Sequence, residues 1–175
     1  MTKVGIFILF LPAAVLAAGL FGIIHDQISY SVSDEYFTKF KFIQFHLLDT
    51  NLPDRFRAGV VGFLASWWMG IPLGILCGAA GFVQRTPSLM RHALIWSLPV
   101  IATFTLTIAL AGLAYGWFQT GTIDLAGYRG WFIPHDVKEL RRFLCAGYMH
   151  NSAYIAGGLS IPVAWLFHLI FRAAT

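Results

Sequence analysis

His150 is the residue whose placement most invites chemistry. It lies about two turns inside an apolar stretch, within Tyr148-Met149-His150-Asn151-Ser152-Ala153-Tyr154. An ionisable side chain is costly inside a bilayer, so each one marks a candidate site. His150 and Tyr154 are four residues apart and share a helical face. A second polar group, His25-Asp26-Gln27, ends the first apolar stretch. If both stretches cross a membrane, the two groups emerge on the same side. His25, Asp26, Gln27, His150, Asn151 and Tyr154 then meet, with Glu35 and Tyr36 folding over them from the loop that follows. Imidazole and carboxylate together suit several transition ions. His25, Asp26 and His150 are therefore candidate metal ligands. The same groups can equally form a buried hydrogen-bond network that fixes the loop to the rest of the chain.

Other chemistries fit less well. His25 and His150 belong to one leaflet, His92 and His168 to the other, the arrangement of a bis-histidine b-type cytochrome. But His25 and His92 fall at helix ends, which enclose a haem poorly, and His168 sits one turn from an end, where it can snorkel. There is no HExxH, nucleophile elbow or pair of intramembrane carboxylates. The pattern leans away from an enzyme. The spans carry no Asp, Glu, Lys or Arg, which argues against a proton-driven pump. Cys77 and Cys145 fall in opposite leaflets, so no disulfide is expected, and no CxxC suggests zinc.

These residues need helices to position them. Hydrophobic residues make up 58% of the chain and charged residues 11%, against about 25% charged in an ordinary soluble domain. Stretches 4–24, 58–84, 92–123 and 143–171 lack Asp, Glu, Lys and Arg. A crossing needs roughly 20 apolar residues, so all four qualify, the third over about 93–118. Backbone groups in lipid must be satisfied within a helix or a closed barrel, and no barrel-like alternation occurs. The reading is an all-α membrane protein, 1–175, in a single transmembrane domain of four helices. The first stretch also resembles a cleavable signal, with Lys3 before it and Ala13-Ala14-Val15-Leu16-Ala17-Ala18 within it. Its apolar run continues to Ile24, which favours an uncleaved helix. Gly70, Gly74 and Gly78 make a close-packing face for another helix. Gly112 and Gly116 repeat it in the third span, and Gly157 and Gly158 extend the His150 face. Packing within one chain is preferred to dimerisation.

The loop after the first span is long and patterned. Gln27 to Ser33 alternates polar and apolar like a short strand. Ser33 can cap a helix that places Tyr36, Phe40 and Ile43 on one face, as an interfacial helix. Together they form an extracytoplasmic cap. Asn51 and Pro53 mark the start of the second span. Asp136 to Glu139 has capping-box spacing at the start of the fourth. All eight acidic residues fall in the first and third loops. Lys3, Arg85, Arg91 and Arg172 lie opposite, while eight Lys and Arg share the acidic side. A raw Lys/Arg count conflicts with the dominance of the first helix, where Lys3 precedes and Asp26 follows. The latter places both termini in the cytoplasm. The lipid bilayer is the expected partner, with other membrane proteins a further one. The net charge of +4 is scattered, which does not suit nucleic acid.

The strings His25-Asp-Gln-Ile-Ser-Tyr30 and Glu35-Tyr-Phe-Thr-Lys-Phe-Lys-Phe42 resemble a group of small bacterial four-span membrane proteins whose function is uncharacterised. His150-Asn-Ser-Ala-Tyr154-Ile-Ala-Gly157-Gly158 and Trp67-Trp68-Met-Gly-Ile-Pro-Leu-Gly74 are similar to that group as well. The resemblance groups His25, Asp26, Glu35, Tyr36, His150 and Tyr154 as a unit but brings no activity. The expected role is a non-enzymatic structural or interacting membrane component. The alternative is a metal- or small-ligand-binding protein built on His25, Asp26 and His150.

Overall fold

Among residues 1–49 and 51–175, which the computed structural model describes, there are four long helices, one short one and a 3-10 turn over Leu125–Tyr128. The helices are α1 (Lys3–Val32), α2 (residues 34–44), α3 (Asp54–Val83), α4 (Pro87–Gln119) and α5 (Leu140–Ala174). Every helix but α2 is long and apolar enough to cross a membrane. At 1.5 Å per residue they run about 45 to 53 Å, beyond the roughly 30 Å hydrocarbon layer. No strand occurs among the described residues.

Local sequence sets the helix starts. Thr2 accepts from the Gly5 amide, and Thr86 accepts from the Leu89 amide with Pro87 in the first turn. Both satisfy an amide that the helix cannot. The helix α3 narrows to a 3-10 turn over Trp67–Met69. Pro72 follows and cannot donate to the Trp68 carbonyl. Its far end, Ala80–Val83, is also 3-10. There the Lys3 ammonium donates to the Phe82 and Gln84 carbonyls, a cation at the negative end of a helix.

Glycine sets the packing. The helix α1 lies chiefly on α3, and α4 on α5. Gly22 and Gly62 are the crossing point of α1 and α3: a Cβ on either would overlap the carbonyl of the other. Gly70 faces the Val15 backbone, Gly74 faces Ala14 and Gly78 faces Phe10. Gly112 and Gly116 take Ser152 and Tyr148 of α5. Gly157 and Gly158 do not fit this pattern. A Cβ on either would meet nothing within 4 Å, so no helix approaches them.

Several local expectations change. Residues 27–32 are helical, not a strand, because α1 continues to Val32. Helical spacing keeps His25, Asp26 and Ser29 buried together, while the Ser31 hydroxyl donates back to the Gln27 carbonyl. The start of α3 has no side-chain cap from Asn51; the helix begins at Asp54 after Pro53. The helix α5 begins at Leu140, with no capping box at Asp136. Its amides at Lys138 and Glu139 donate instead to the carboxylate of Glu35, about a hundred residues earlier.

The helix α2 folds over the end of the bundle. Ser33 caps it through the Tyr36 amide. Its middle, Phe37–Lys41, is a π-helical turn, with the Phe42 amide reaching the Phe37 carbonyl. That extra residue per turn shifts the face. Phe37 and Phe42 are fully buried, whereas Ile43, expected on the inner face, is half exposed. Tyr36, Phe37 and Phe42 pack with Ala58 and Val61 of α3 and Phe143 and Ala146 of α5.

Candidate functional site

The cluster forms where α1 ends, α5 passes and α2 folds over. Three side chains converge there, His25, Asp26 and His150, each about 95% buried. His25 Nδ1 lies 2.9 Å from Asp26 Oδ1, and His150 Nε2 lies 3.7 Å from the same oxygen. The two imidazoles meet edge to face with ring centroids 4.6 Å apart. No porphyrin plane fits between rings in that contact. One ligand atom from each residue lies within 4.8 Å of the others.

The hydrogen-bond inventory is incomplete at this point. A carboxylate only accepts, so in the neutral imidazole Nδ1 of His25 donates to Asp26 and Nε2 carries a lone pair. That Nε2 and Asp26 Oδ2 are both buried without a hydrogen-bond partner. Buried polar atoms in native proteins are almost always paired, so two adjacent orphans call for an explanation. Both are acceptors, and what they lack is a donor or a cation.

The other predicted residues divide. Tyr36 stacks on His150, centroids 4.9 Å apart at 29°. Burial pushes its phenol above the ordinary range, and the nearby Tyr154 and Asp26 add to that. Tyr154 lies farther out, 6.5 Å from the His150 ring and 60% exposed. Glu35 faces away. Its carboxylate pairs with Lys39 at 2.6 Å and caps α5. Burial pushes this carboxyl up, but the Lys39 ammonium and the Glu139 and Lys138 amides outweigh it and hold it at about 2. Gln27 also faces away and donates to the Arg55 carbonyl. Asn151 is exposed.

Two members were missed. The Ser29 hydroxyl is hydrogen-bonded to His150 Nε2 at 3.0 Å. Its spacing of three and four from Asp26 and His25 would have revealed it once the segment was read as helix. Lys41 is buried, with Nζ on Gln44 Oε1 at 3.1 Å and 5.8 Å from the Tyr36 ring. Burial pulls its ammonium below the ordinary value, against the pull of the Asp26 charge.

The opposite end of the bundle holds a second buried pair. Gln84 donates to the His168 carbonyl at 2.8 Å, and both side chains are buried. His168 therefore does not snorkel. His92 is exposed and lies on the Ser88 carbonyl.

A cavity of about 180 Å³ runs from the His25–Asp26–His150 cluster into the bundle. It follows the seam between the α1–α3 pair and the α4–α5 pair. Apart from Asp26 no Asp, Glu, Lys or Arg lines it. No family model matches this chain, and neither a curated protein nor a solved structure matches it.

Proposed function

We propose that this is a metal-binding membrane protein in which His25, Asp26 and His150 hold a divalent transition ion such as zinc or ferrous iron. The observation behind the reading is the pair of buried, unpartnered acceptors, His25 Nε2 and Asp26 Oδ2, beside His150. A cation between them would satisfy both lone pairs at once. Ligands on one ion at 2.0–2.1 Å stand at most about 4.2 Å apart. The observed spread of 4.8 Å is wider than that, so the three side chains must draw together to share one ion. Two histidines and one carboxylate leave coordination positions open, as in zinc and non-haem iron sites.

Elemental analysis of purified protein, with added zinc and with cobalt as a coloured probe, tests this. The expected result is one ion per chain, lost in His150→Ala and Asp26→Asn. A metal-free wild type after zinc loading would sink the proposal.

A second reading rests on the Tyr36–His150 stack. The cluster then serves as a structural lock that holds α2 on the bundle, in a non-enzymatic component that partners other membrane proteins. His150→Ala would lower the unfolding temperature equally with and without zinc.

The same reading places α2 and the 125–139 segment outside the cytoplasm as a cap, with both termini inside and the chain in a bacterial inner membrane. Lys3 before α1 supports that side, because the first helix usually dominates orientation. So does the resemblance to small four-span bacterial proteins.

A further inference from the structure

We infer that the cavity below the cluster receives one fatty acid from the bilayer, whose carboxylate completes the coordination of the metal. This rests on the metal reading above and adds a ligand class to it.

The shape of the cavity selects the chain. Phe10, Ala14, Ala17, Phe21 and His25 line it from one face of α1. At 1.5 Å per residue they extend about 22 Å, most of a hydrocarbon layer of roughly 30 Å. About 180 Å³ is a little more than the roughly 150 Å³ that holds one benzene, so the cavity takes the head and about the first six or seven carbons of a single chain. The rest of the chain stays in the bilayer, and a two-chain lipid does not fit. The walls are apolar, and alanine and glycine keep the bore open. Tyr154 lines the cavity and is 60% exposed, so the opening toward the surroundings lies beside it.

Charge selects the head. A divalent ion beside one carboxylate keeps an excess positive charge, and the buried Lys41 adds to it. Uncompensated charge in a low-dielectric interior is strongly unfavourable. An anionic head offsets part of that excess and supplies an oxygen ligand to the ion. A neutral alcohol of the same length supplies the oxygen without the charge.

Gly157 gives a clean test. It lines the cavity, and a Cβ there meets nothing within 4 Å. Gly157→Leu therefore adds bulk at the bore from a position whose Cβ is unobstructed, and it alters no metal ligand. Ala153→Leu, on the same wall, is the second variant should the first fold poorly. The probe is a photoreactive palmitate analogue, with the matching alcohol as control, applied to zinc-loaded protein in detergent. Labelling should map to cavity residues of α1 and α5. It should fall at least tenfold in Gly157→Leu while zinc stoichiometry holds, and fall similarly after chelation or with the alcohol. Stoichiometric zinc with labelling indifferent to Gly157→Leu, to chelation or to the head group would overturn this inference alone. A wild type that binds no zinc overturns the metal reading, and this inference with it.

Discussion

The Glu35 carboxylate accepts from the Glu139 amide at 2.7 Å and from the Lys138 amide at 3.0 Å, so a residue of the first loop caps the helix that carries His150. An anion at a helix N-terminus satisfies orphan amides and complements the helix dipole. Loss of such a cap costs about 1–2 kcal/mol. Glu35→Ala should lower the thermal unfolding midpoint by several degrees without changing metal content. An unchanged midpoint would show that the cap contributes nothing to stability.

The same carboxyl makes stability depend on pH. Its folded value of about 2 lies below its ordinary value of 4.5. A depressed acid stabilises the fold fully above its unfolded value, and that contribution is lost as pH falls through the folded one. The unfolding midpoint should therefore decline from about pH 5 toward pH 2. The decline should be shallower in Glu35→Gln, which cannot titrate. Parallel curves for the two proteins would assign the acid sensitivity to other carboxyls.

The π-helical turn in α2 makes a prediction that an ordinary helix would not. Phe37 and Phe42 are fully buried and Ile43 is 50% exposed. Truncating a buried Phe to Ala costs about 3–5 kcal/mol, whereas surface changes stay within about 0.5 kcal/mol. Chemical denaturation of Phe42→Ala and Ile43→Ala should show that order. The reverse order would place Ile43 inward and remove the π turn.

What was legible followed from periodic, local signals. The four crossings needed only charge-free length. The meeting of His25, Asp26 and His150 needed only the topology of an even number of spans. The strand assigned to residues 27–33 failed because seven alternating residues also satisfy the end of a long helix, and it hid Ser29. The partner of the α5 amides was illegible because Glu35 is about a hundred residues away, while a capping-box pattern stood next to the helix. Lys41 was hidden by a π turn, which inserts one residue into a face that was counted at helical spacing. The openness around Gly157 and Gly158 depends on how the neighbouring helices pack along the middle of α5, which no local pattern encodes.

Glycines that look alike in sequence should behave oppositely. At Gly62 a Cβ overlaps the Gly22 carbonyl, and backbone cannot swing aside as a side chain can. Gly62→Ala should separate α1 from α3 and reduce the yield of monodisperse protein in detergent. Gly158→Ala meets nothing within 4 Å and gains helix propensity, about 1 kcal/mol. It should match or exceed the wild-type unfolding midpoint. Equal tolerance at both sites would mean that the α1–α3 contact at Gly22 and Gly62 is looser than the structure has it.

The side of the membrane on which the cluster lies decides which compartment would supply the proposed ion, and cysteine labelling can read it. Both native cysteines are buried, so the background with a membrane-impermeant maleimide is low. Phe132 is 64% exposed and contacts Phe40 of α2. Arg172 is exposed in the last turn of α5, at the opposite end. In spheroplasts, Phe132→Cys should label before lysis and Arg172→Cys only after it. The Lys3 and Asp26 flanks of α1 predict this order, because the first helix usually dominates orientation. The opposite order would mean that the eight Lys and Arg residues of the long loops override that helix. The metal would then be drawn from the cytoplasm.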